Sequence, residues 1–445
     1  MLIRFVVSNF LSFDEEREFN MLAGNFKTHK HHVYKAGKVD VLKSAAIYGA
    51  NGAGKSNLIV AIDALQDIVE EGTVAKSIGD KKFRLNRNNS KSPSSFEIEF
   101  FVDNKIYDYG VSFNGDIILE EWLYESGITS EDKIIFERKY NKNKTHIKLH
   151  GNYTKTAKRK YLVELMEESL LKRNELLISK NDSLKIPDIK KAKDWIVNSL
   201  LIVYPGSRFG GLAPMMSRSE RFCEFANNLL ITFDTGVDKL EVVTVDFEKF
   251  IGKDEDELKV DILDSVNEGK HVMLNSTEKG TVHVLKENDE VVVKYVNSIH
   301  KDNNGNDVSF ELDQESDGTR RLLDFIPALD MIIRQDVTYV IDEMDQSLHP
   351  ALLYSMVKKI MADESTKGQL IFTTHESNLL DLEIFRQDEI WFAEKNKEKG
   401  STELYSLSEY KPRYDLDIRK GYLRGRFGAI PFLAPLQDLS WSEHA

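Results

Sequence analysis

The sequence predicts a mixed α/β fold with an antiparallel β subdomain and a helical insertion. An apolar strand ends at Tyr48, a glycine-rich loop follows, and residues 57–71 then place apolar side chains at helical spacing. Residues 96–124 alternate apolar and polar side chains around two turn sequences, which is typical of an antiparallel meander. From residue 307 onward, strand patterns alternate with helix patterns, which indicates parallel βαβ units.

Composition limits the classes of protein to which the chain can belong. Its 445 residues are 41% hydrophobic and 30% charged, which is typical of a soluble globular protein with two domains or one large insertion. No apolar run approaches the roughly 20 residues that span a bilayer, and the N-terminus lacks the features of a signal peptide. The single cysteine, Cys223, excludes an intramolecular disulfide. We therefore expect a cytoplasmic protein with no membrane partner.

The order of the patterns divides the chain into three predicted segments. Residues 1–126 form an N-terminal lobe with the glycine-rich loop and the meander. Residues 127–235 form a basic hairpin and a helical insertion, with helices near 158–180 and 187–203. Residues 236–445 form a C-terminal lobe that carries the remaining motifs.

The glycine-rich loop at residues 49–56 has the sequence GANGAGKS and fits the pattern G-x-x-x-x-G-K-[ST]. Gly49, Gly52 and Gly54 allow backbone N–H groups to point at a phosphate, and the start of the following helix adds positive potential. The alternative is an ordinary glycine-rich turn. The strand before the loop and the helix after it favour the phosphate-binding interpretation.

This loop predicts a site for ATP and Mg²⁺. Lys55 would contact the β- and γ-phosphates, and the Ser56 hydroxyl would bind Mg²⁺. The predicted ATP-binding residues are Gly49, Ala50, Asn51, Gly52, Ala53, Gly54, Lys55, Ser56 and Asn57.

A pair of acids follows a second strand of the buried type. Residues 338–341 are apolar or β-branched, and Asp342 and Glu343 come directly after them. Together with Ser56, Asp342 is predicted to hold Mg²⁺, and Glu343 is predicted to polarise the water that attacks the γ-phosphate. The alternative is a solvated strand end, which the phosphate loop upstream makes the weaker interpretation.

His375 ends a third apolar strand, in the sequence QLIFTTH. One further βα unit after the acids would return the chain to the γ-phosphate, because the loops of α/β units are short. A neutral imidazole there can hydrogen-bond the γ-phosphate and the attacking water, so His375 is a predicted catalytic residue. The alternative is a histidine that caps a strand or packs in the core.

Residues 316–319 open an amphipathic helix and form a second predicted anion site. The residues are Ser316, Asp317, Gly318 and Thr319. A helix N-terminus with a hydroxyl and free N–H groups can bind an anion. Because one protomer does not need two phosphate sites for one nucleotide, we expect this one to contact ATP bound to a second copy. The alternative is an ordinary helix N-cap.

Taken together, these motifs resemble those of the ABC-type ATPases, specifically the SMC-like and OLD-like branch. GANGAGKS resembles the Walker A motif, SDGT stands where the family has LSGGQ, and YVIDE resembles Walker B. MDQSLHP resembles the D-loop with Asp345, His375 matches the switch histidine, and VSNFLSF resembles the opening of that branch. The resemblance implies an ABC-type P-loop ATPase head that forms a homodimer through its ATP sites. Two features depart from the pattern, since Leu11 replaces a basic residue and residues 83–89 lack a Q-loop glutamine.

A narrower resemblance is to the ATPase subunits of PARIS anti-phage systems. It is carried by SSFEIEFFVDNKIYDYG, LEEWLY, EIWFAEK, ELYSL and GYLRGRFGAIP. The resemblance implies an ATPase sensor, as a homodimer or a higher oligomer such as a hexamer, that holds a co-encoded TOPRIM-nuclease effector. It also implies that a phage anti-restriction protein, which mimics DNA, triggers release of the effector.

Two other functions remain open from the sequence. One is a DNA-repair or recombination ATPase that clamps DNA. The other is an OLD-type nuclease subunit, which is disfavoured because no Glu followed by a DxD-bearing TOPRIM domain is visible. Residues 133–160 contain ten Lys or Arg and one acid, so DNA or an acidic protein is a possible partner. The alternative interpretation of this basic stretch is an ordinary solvated surface.

Overall fold

The computed structural model describes residues 1–127, 131–251, 256–268, 272–276, 280–414 and 416–430. Its strands are β1 (Leu2–Ser8), β2 (Arg17–Asn20), β3 (Val33–Ala36), β4 (Val39–Leu42), β5 (Ser44–Tyr48), β6 (Ser94–Val102), β7 (Lys105–Asn114), β8 (Ile117–Glu125), β9 (Lys133–Asn141), β10 (Lys144–Leu149), β11 (Leu200–Val203), β12 (Lys239–Asp246), β13 (Val272–Ser276), β14 (Gly280–Glu287), β15 (Glu290–Lys301), β16 (Asp307–Glu311), β17 (Thr338–Ile341), β18 (Gln369–Thr373), β19 (Ile390–Lys395) and β20 (Thr402–Ser406).

Its α-helices are α1 (Lys55–Glu71), α2 (Lys76–Gly79), α3 (Ala157–Leu165), α4 (Asn181–Leu184), α5 (Pro187–Asn198), α6 (Leu212–Arg218), α7 (Glu220–Thr232), α8 (Phe247–Ile251), α9 (Asp256–Asn267), α10 (Asp317–Arg334), α11 (Pro350–Met361) and α12 (Ile418–Leu423). In the part of the chain that the structure describes, no helix combines the length and the apolarity needed to cross a membrane.

The chain divides into two compact units. The first contains residues 1–205, 334–344 and 357–445, and the second contains residues 206–333 and 345–356. The three-segment division of the sequence rests on motif order and stays a prediction beside these two units.

The first unit is built on a central, largely parallel sheet with the strand order β11-β17-β18-β5-β19-β20. β20 alone runs antiparallel to its neighbour in this order. Every residue of β5, β17 and β18 is buried, which is why these strands are continuous apolar runs and not alternating patterns. Because the three strands are parallel, the loops that follow them leave the sheet at the same edge.

Helix α1 follows β5 and packs on this core. It buries apolar residues at helical spacing, among them Leu58, Ile62 and Leu65. The helix ends at Gly72, whose φ of 72° closes the last turn in the left-handed conformation that glycine adopts readily. The strand–loop–helix unit predicted from the sequence is therefore confirmed.

An antiparallel sheet with the order β10-β9-β8-β7-β6-β1-β2 completes the first unit. It contains the meander predicted for residues 96–124 as β6, β7 and β8, and it continues into the basic hairpin as β9 and β10. The predicted combination of a mixed α/β core with an antiparallel β subdomain is confirmed.

The predicted helical insertion is only partly helical. α3 continues as a π-helical turn at Met166–Leu170, and the second predicted helix ends at Asn198. Leu200–Val203 instead forms β11, which pairs in parallel with β17 in the central sheet. The prediction of a helix to residue 203 was wrong because this short apolar stretch completes the edge of the sheet.

The second unit contains an antiparallel sheet with the order β12-β15-β14-β13, and β16 also pairs with β15. The sequence predicted that β16 would begin a series of parallel βαβ units, and this was wrong. Asp302 accepts hydrogen bonds from the backbone N–H groups of Asn304 and Asn306. The resulting tight turn folds β16 back onto β15 in antiparallel register.

Candidate functional site

The glycine-rich loop follows β5 and has two glycines with positive φ, 75° at Gly52 and 104° at Gly54. A Cβ at Gly54 would lie 2.0 Å from Thr402 Oγ1, so the packing as well as the φ angle requires glycine there. A Cβ at Gly52 would meet no atom within 4 Å, so the loop is open on that side. This is the shape of a loop that a bound group can approach closely.

The ammonium of Lys55 lies inside this loop. The residue is 5% exposed, and Nζ donates hydrogen bonds of 2.9 Å to Gly49 O and 3.3 Å to Ala50 O. The loop therefore presents a positively charged group suited to a phosphate.

The remaining residues of the predicted ATP site surround Lys55. Asn51 is exposed, Ala53 is buried, and Ala50 is half-buried. Ser56 and Asn57 are half-buried in the first turn of α1.

Two hydroxyl groups that the sequence analysis missed brace this loop. Thr402 Oγ1 donates a 2.8 Å hydrogen bond to Ala53 O. It also lies within hydrogen-bonding distance of Ser12 Oγ, at 2.7 Å. The backbone N–H of Thr402 also donates 2.8 Å to Ser12 O. Nothing in the local sequence marks Thr402, because it is distant in the chain from the loop and belongs to no motif.

The predicted acids lie where β17 ends. Asp342 is 4% exposed, and its Oδ1 accepts a 2.5 Å hydrogen bond from the Thr373 hydroxyl at the end of β18. The same hydroxyl oxygen accepts a 2.8 Å hydrogen bond from the backbone N–H of Glu343. Thr373 therefore ties the two acids together, and sequence reasoning did not assign it this position.

Glu343 has a backbone conformation that is unusual for its residue type. Its φ is 47°, in the left-handed region where a residue with a side chain is strained. Two hydrogen bonds to Thr373 hold this conformation. The Glu343 N–H donates to the Thr373 hydroxyl, and the N–H of the next residue, Met344, donates a 3.0 Å hydrogen bond to Thr373 O. Strain of this kind is found at functional sites, where surrounding bonds over-determine the backbone.

A tyrosine of the first unit lies near Asp342 and pairs with an aspartate of α1. Tyr204 donates a 2.6 Å hydrogen bond to Asp63 on α1. Burial raises the pKa of the Tyr204 hydroxyl, followed by the bond to Asp63 and the nearby charge of Asp342. Tyr204 therefore stays protonated and remains a hydrogen-bond donor at neutral pH.

His375 follows β18 at the same edge of the central sheet. The side chain is exposed, and the N–H of the preceding residue, Thr374, donates 3.1 Å to Ile47 O of β5. Strand order therefore brings the loops with Lys55, Asp342 and His375 to one edge. The catalytic role of His375 stays a prediction.

The second predicted anion site lies on the second unit. The Ser316 hydroxyl accepts a 3.1 Å hydrogen bond from the Thr319 N–H and lies 2.9 Å from Thr319 Oγ1. Ser316 is thus the N-cap of α10, which was the alternative interpretation of this stretch in the sequence. Ser316 and Asp317 are nevertheless exposed. A Cβ at Gly318 would lie 3.0 Å from Ser347 O, in the turn that begins at Asp345. Whether this helix end also binds a phosphate stays a prediction.

The donor set of the first unit fits ATP with its metal ion. Lys55 and the open glycine loop suit phosphate oxygens, and the Ser56 hydroxyl and the Asp342 carboxylate are oxygen ligands of the kind that Mg²⁺ prefers.

The basic stretch at 133–160 is partly absorbed by the fold. Five of its members make local contacts: Lys133 with Glu125, Arg138 with the main chain of Glu175, Lys139 with Glu120, Lys148 with Glu137, and Arg159 with the main chain of Tyr153. Seven lysines of the stretch are exposed, and five of these are not among those contacts, namely Lys142, Lys144, Lys155, Lys158 and Lys160. The surface for a polyanion is therefore smaller than the sequence indicates.

Comparison with known proteins gives one family match. A family model described as "AAA domain, putative AbiEii toxin, Type IV TA system" matches residues 44–381. No curated protein matches the chain.

Solved structures similar to the chain include three SMC heads. The SMC head domain from Thermotoga maritima has 12% identity and a TM-score of 0.40, covering 91% of this chain and 98% of its own. The SMC head bound to the C-winged helix domain of ScpA has 14% identity and a TM-score of 0.48, covering 92% and 99%. The SMC head with an extended coiled coil, bound to the ScpA C-terminal domain derived from Pyrococcus furiosus, has 13% identity and a TM-score of 0.41, covering 92% and 97%.

Proposed function

Because the chain belongs to the family described as "AAA domain, putative AbiEii toxin, Type IV TA system", we propose that it is an ABC-type ATPase acting as a switch. The observation that carries the proposal is that the loop with Lys55 and the acids Asp342 and Glu343 follow parallel strands of the central sheet and leave it at the same edge. A phosphate-binding cation and a metal-binding acid at the ends of parallel strands are what nucleoside-triphosphate hydrolysis requires.

Each residue has a chemical role in this proposal. Lys55 and the loop N–H groups bind the β- and γ-phosphates, and Ser56 with Asp342 holds Mg²⁺, which neutralises phosphate charge when bound. Glu343 accepts the proton of the attacking water, and His375 contacts the γ-phosphate. Thr373 positions both acids through its hydroxyl.

We propose that hydrolysis requires two copies of the chain. Residues 316–319 of one protomer would complete the ATP site of the other, with Asp345 near the contact between them. The exposure of Ser316 and Asp317 supports this proposal, because a helix N-terminus must be accessible to reach a second protomer. Formation and opening of such a dimer would shift a bound partner protein between two conformational states.

We infer that the partner is a separate effector in anti-phage defence. The family description supports a toxin–antitoxin setting, and the sequence resemblance to PARIS ATPase subunits supports a TOPRIM-nuclease effector and a DNA-mimicking phage trigger. In this proposal the chain restrains the effector and releases it when the trigger binds. The purified chain alone would hydrolyse ATP and cleave no nucleic acid.

ATPase assays of paired variants test the enzymatic part. Lys55→Ala should abolish ATP binding, because the phosphate charge is left uncompensated. Glu343→Gln should bind ATP but hydrolyse it at least about 100-fold more slowly. Lys91→Ala, an exposed lysine outside the motifs named above, is the control and should match the wild type. Unchanged ATP affinity of Lys55→Ala in isothermal titration would refute the assignment.

Expression tests address the switch. The chain should be harmless alone, and toxicity or phage defence should need both the co-encoded effector and an intact Lys55. Metal-dependent cleavage of DNA or tRNA by the pure chain would refute the proposal of a separate effector.

A DNA-clamping repair ATPase is the second candidate, favoured by the exposed lysines of the basic stretch. It predicts that DNA stimulates ATP hydrolysis. Changing Lys155, Lys158 and Lys160 to Glu should then weaken DNA binding and lower its salt dependence. The charge-matched control changes exposed lysines elsewhere to Glu, namely Lys76, Lys91 and Lys367. Equal DNA affinity of the two triple variants, without stimulation by DNA, would exclude this candidate.

A further inference from the structure

Three histidines meet in one short turn of the first unit, away from the phosphate loop. The turn Lys30–His32 is a 3₁₀ helix, and His29 precedes it with a left-handed φ of 47°. One ring nitrogen from each of His29, His31 and His32 lies within 4.8 Å of the others. His29 and His31 are half-buried, so the cluster can be reached from solvent, whereas His32 is 2% exposed.

Main-chain carbonyls fix the tautomers of two of these rings. His29 Nε2 donates 2.9 Å to Leu382 O, and His31 Nε2 donates 2.9 Å to Met361 O. A carbonyl oxygen only accepts, so each Nε2 carries hydrogen and, in the neutral ring, Nδ1 carries the lone pair. Among the described residues, no group hydrogen-bonds to either Nδ1. A histidine whose other nitrogen donates to a carbonyl is the arrangement found for metal ligands.

The third ring, His32, is held by a buried carboxylate. Its Nδ1 lies 2.9 Å from Glu389 Oε2, and its Nε2 donates 2.9 Å to Met361 O. Glu389 is fully buried and also accepts hydrogen bonds from the Ser44 hydroxyl at 2.6 Å and the Arg386 N–H at 2.7 Å. The Glu389 side chain is therefore fixed beside His32 by two further donors.

We propose that His29, His31 and His32 form a binding site for one divalent transition-metal ion of the Zn²⁺ class. His29 and His31 would use Nδ1. His32 would use Nε2, which would give up its hydrogen and its bond to Met361 O, while Nδ1 stays against Glu389. This is a carboxylate–histidine–metal arrangement. Imidazole ligands suit Zn²⁺, and Glu389 offsets part of the added charge.

The turn must rearrange to hold the ion, because Met361 O now occupies the hydrogen-bonding direction of His32 Nε2. Two imidazole nitrogens on one tetrahedral Zn²⁺ are about 3.4 Å apart, compared with the 4.8 Å limit within which one ring nitrogen of each histidine now lies. The carbonyls that orient the rings belong to the last residue of α11 and to a loop after β18, and Ser44 opens β5. An ion here would link these elements and stabilise the first unit. It would take no part in ATP hydrolysis, so this site is independent of the proposed function.

Isothermal titration of the untagged, chelator-treated chain with ZnCl₂ tests the proposal. We expect about one ion per chain and a melting temperature raised by several degrees. The double variant His29→Gln, His31→Gln keeps amide donors for the two carbonyls but removes two ligands. It should fold and lose Zn²⁺ affinity at least about 100-fold.

The control is His146→Gln, an exposed histidine on β10 outside the cluster. It should bind Zn²⁺ as the wild type does. Equal Zn²⁺ affinity of the double variant and the wild type would overturn the site, and so would absence of Zn²⁺ binding by the folded wild type. Circular dichroism of each metal-free protein separates loss of a ligand from loss of fold.

Discussion

The hydroxyl of Thr373 donates a 2.5 Å hydrogen bond to the carboxylate of Asp342 across two neighbouring parallel strands. Its oxygen also accepts the N–H of Glu343. One threonine therefore sets the direction of the proposed metal-binding acid and the backbone of the proposed general base. A group that acts on both acids should affect turnover more than nucleotide binding.

Thr373→Val removes this hydroxyl and nearly preserves the side-chain volume. We expect kcat for ATP to fall about 10- to 100-fold with a smaller change in ATP affinity, because Glu343 loses the bond that holds its strained backbone. The free energy of unfolding should fall by about 1–3 kcal/mol, because the buried Asp342 loses a donor. Thr373→Ser keeps the hydroxyl and should retain activity. Equal kcat for the Val variant and the wild type would exclude a positioning role.

Thr402→Val tests the brace of the phosphate loop. Without its hydroxyl, Ala53 O and Ser12 Oγ each lose a partner, so the loop should become less ordered. We expect ATP affinity to fall several-fold and stability to fall by about 1–2 kcal/mol, measured by isothermal titration and urea unfolding. Thr402→Ser is the matched control. A Val variant with wild-type ATP affinity would show that the brace is dispensable for binding.

Ser316→Arg tests sharing of the ATP site between protomers. Arginine removes the cap of α10, at a cost of about 1 kcal/mol, and its bulk should block contact with a second protomer. We expect unchanged ATP binding and no turnover. Mixing this variant with Lys55→Ala should restore part of the ATPase rate, because one composite site then has both intact parts. Mixed dimers that form but show no recovery would argue against sharing.

The carboxyl of Asp108, on the antiparallel sheet, should make stability depend on pH. Burial, followed by the nearby charge of Glu97, raises the pKa of Asp108 from 3.8 to about 7. Between these values the folded chain holds a proton that the unfolded chain releases, so the free energy of unfolding falls as pH rises through this window. Above about pH 7 the contribution is constant.

Asp108→Asn removes this titration and keeps an oxygen that can accept a hydrogen bond. The variant should lose less stability between pH 4 and 7, and at pH 8 it should exceed the wild type by roughly 1–3 kcal/mol. Urea unfolding at a series of pH values measures both quantities. Asp116→Asn, on an exposed turn, is the control. Parallel pH profiles for the wild type and Asp108→Asn would contradict the raised pKa.

The sequence by itself determined the glycine-rich loop, the buried strands around it and the position of the acids after β17. These features depend on neighbours in the chain: the glycines and Lys55 lie within one loop, and Asp342 directly follows its strand. A turn, a helix start and a buried strand each impose a local pattern, because backbone angles and burial repeat with a fixed period. The meander at residues 96–124 could be predicted for the same reason.

The tertiary structure alone decided which residues support that site. Thr373 and Thr402 act through single hydroxyl groups on residues far along the chain, and such bonds leave no periodic pattern. β16 and β11 were mispredicted because the choice of partner strand, which local residues do not encode, decided their place. The same holds for His32, whose partner Glu389 lies 357 residues away. Local sequence determines what a segment can form, and long-range packing determines what it contacts.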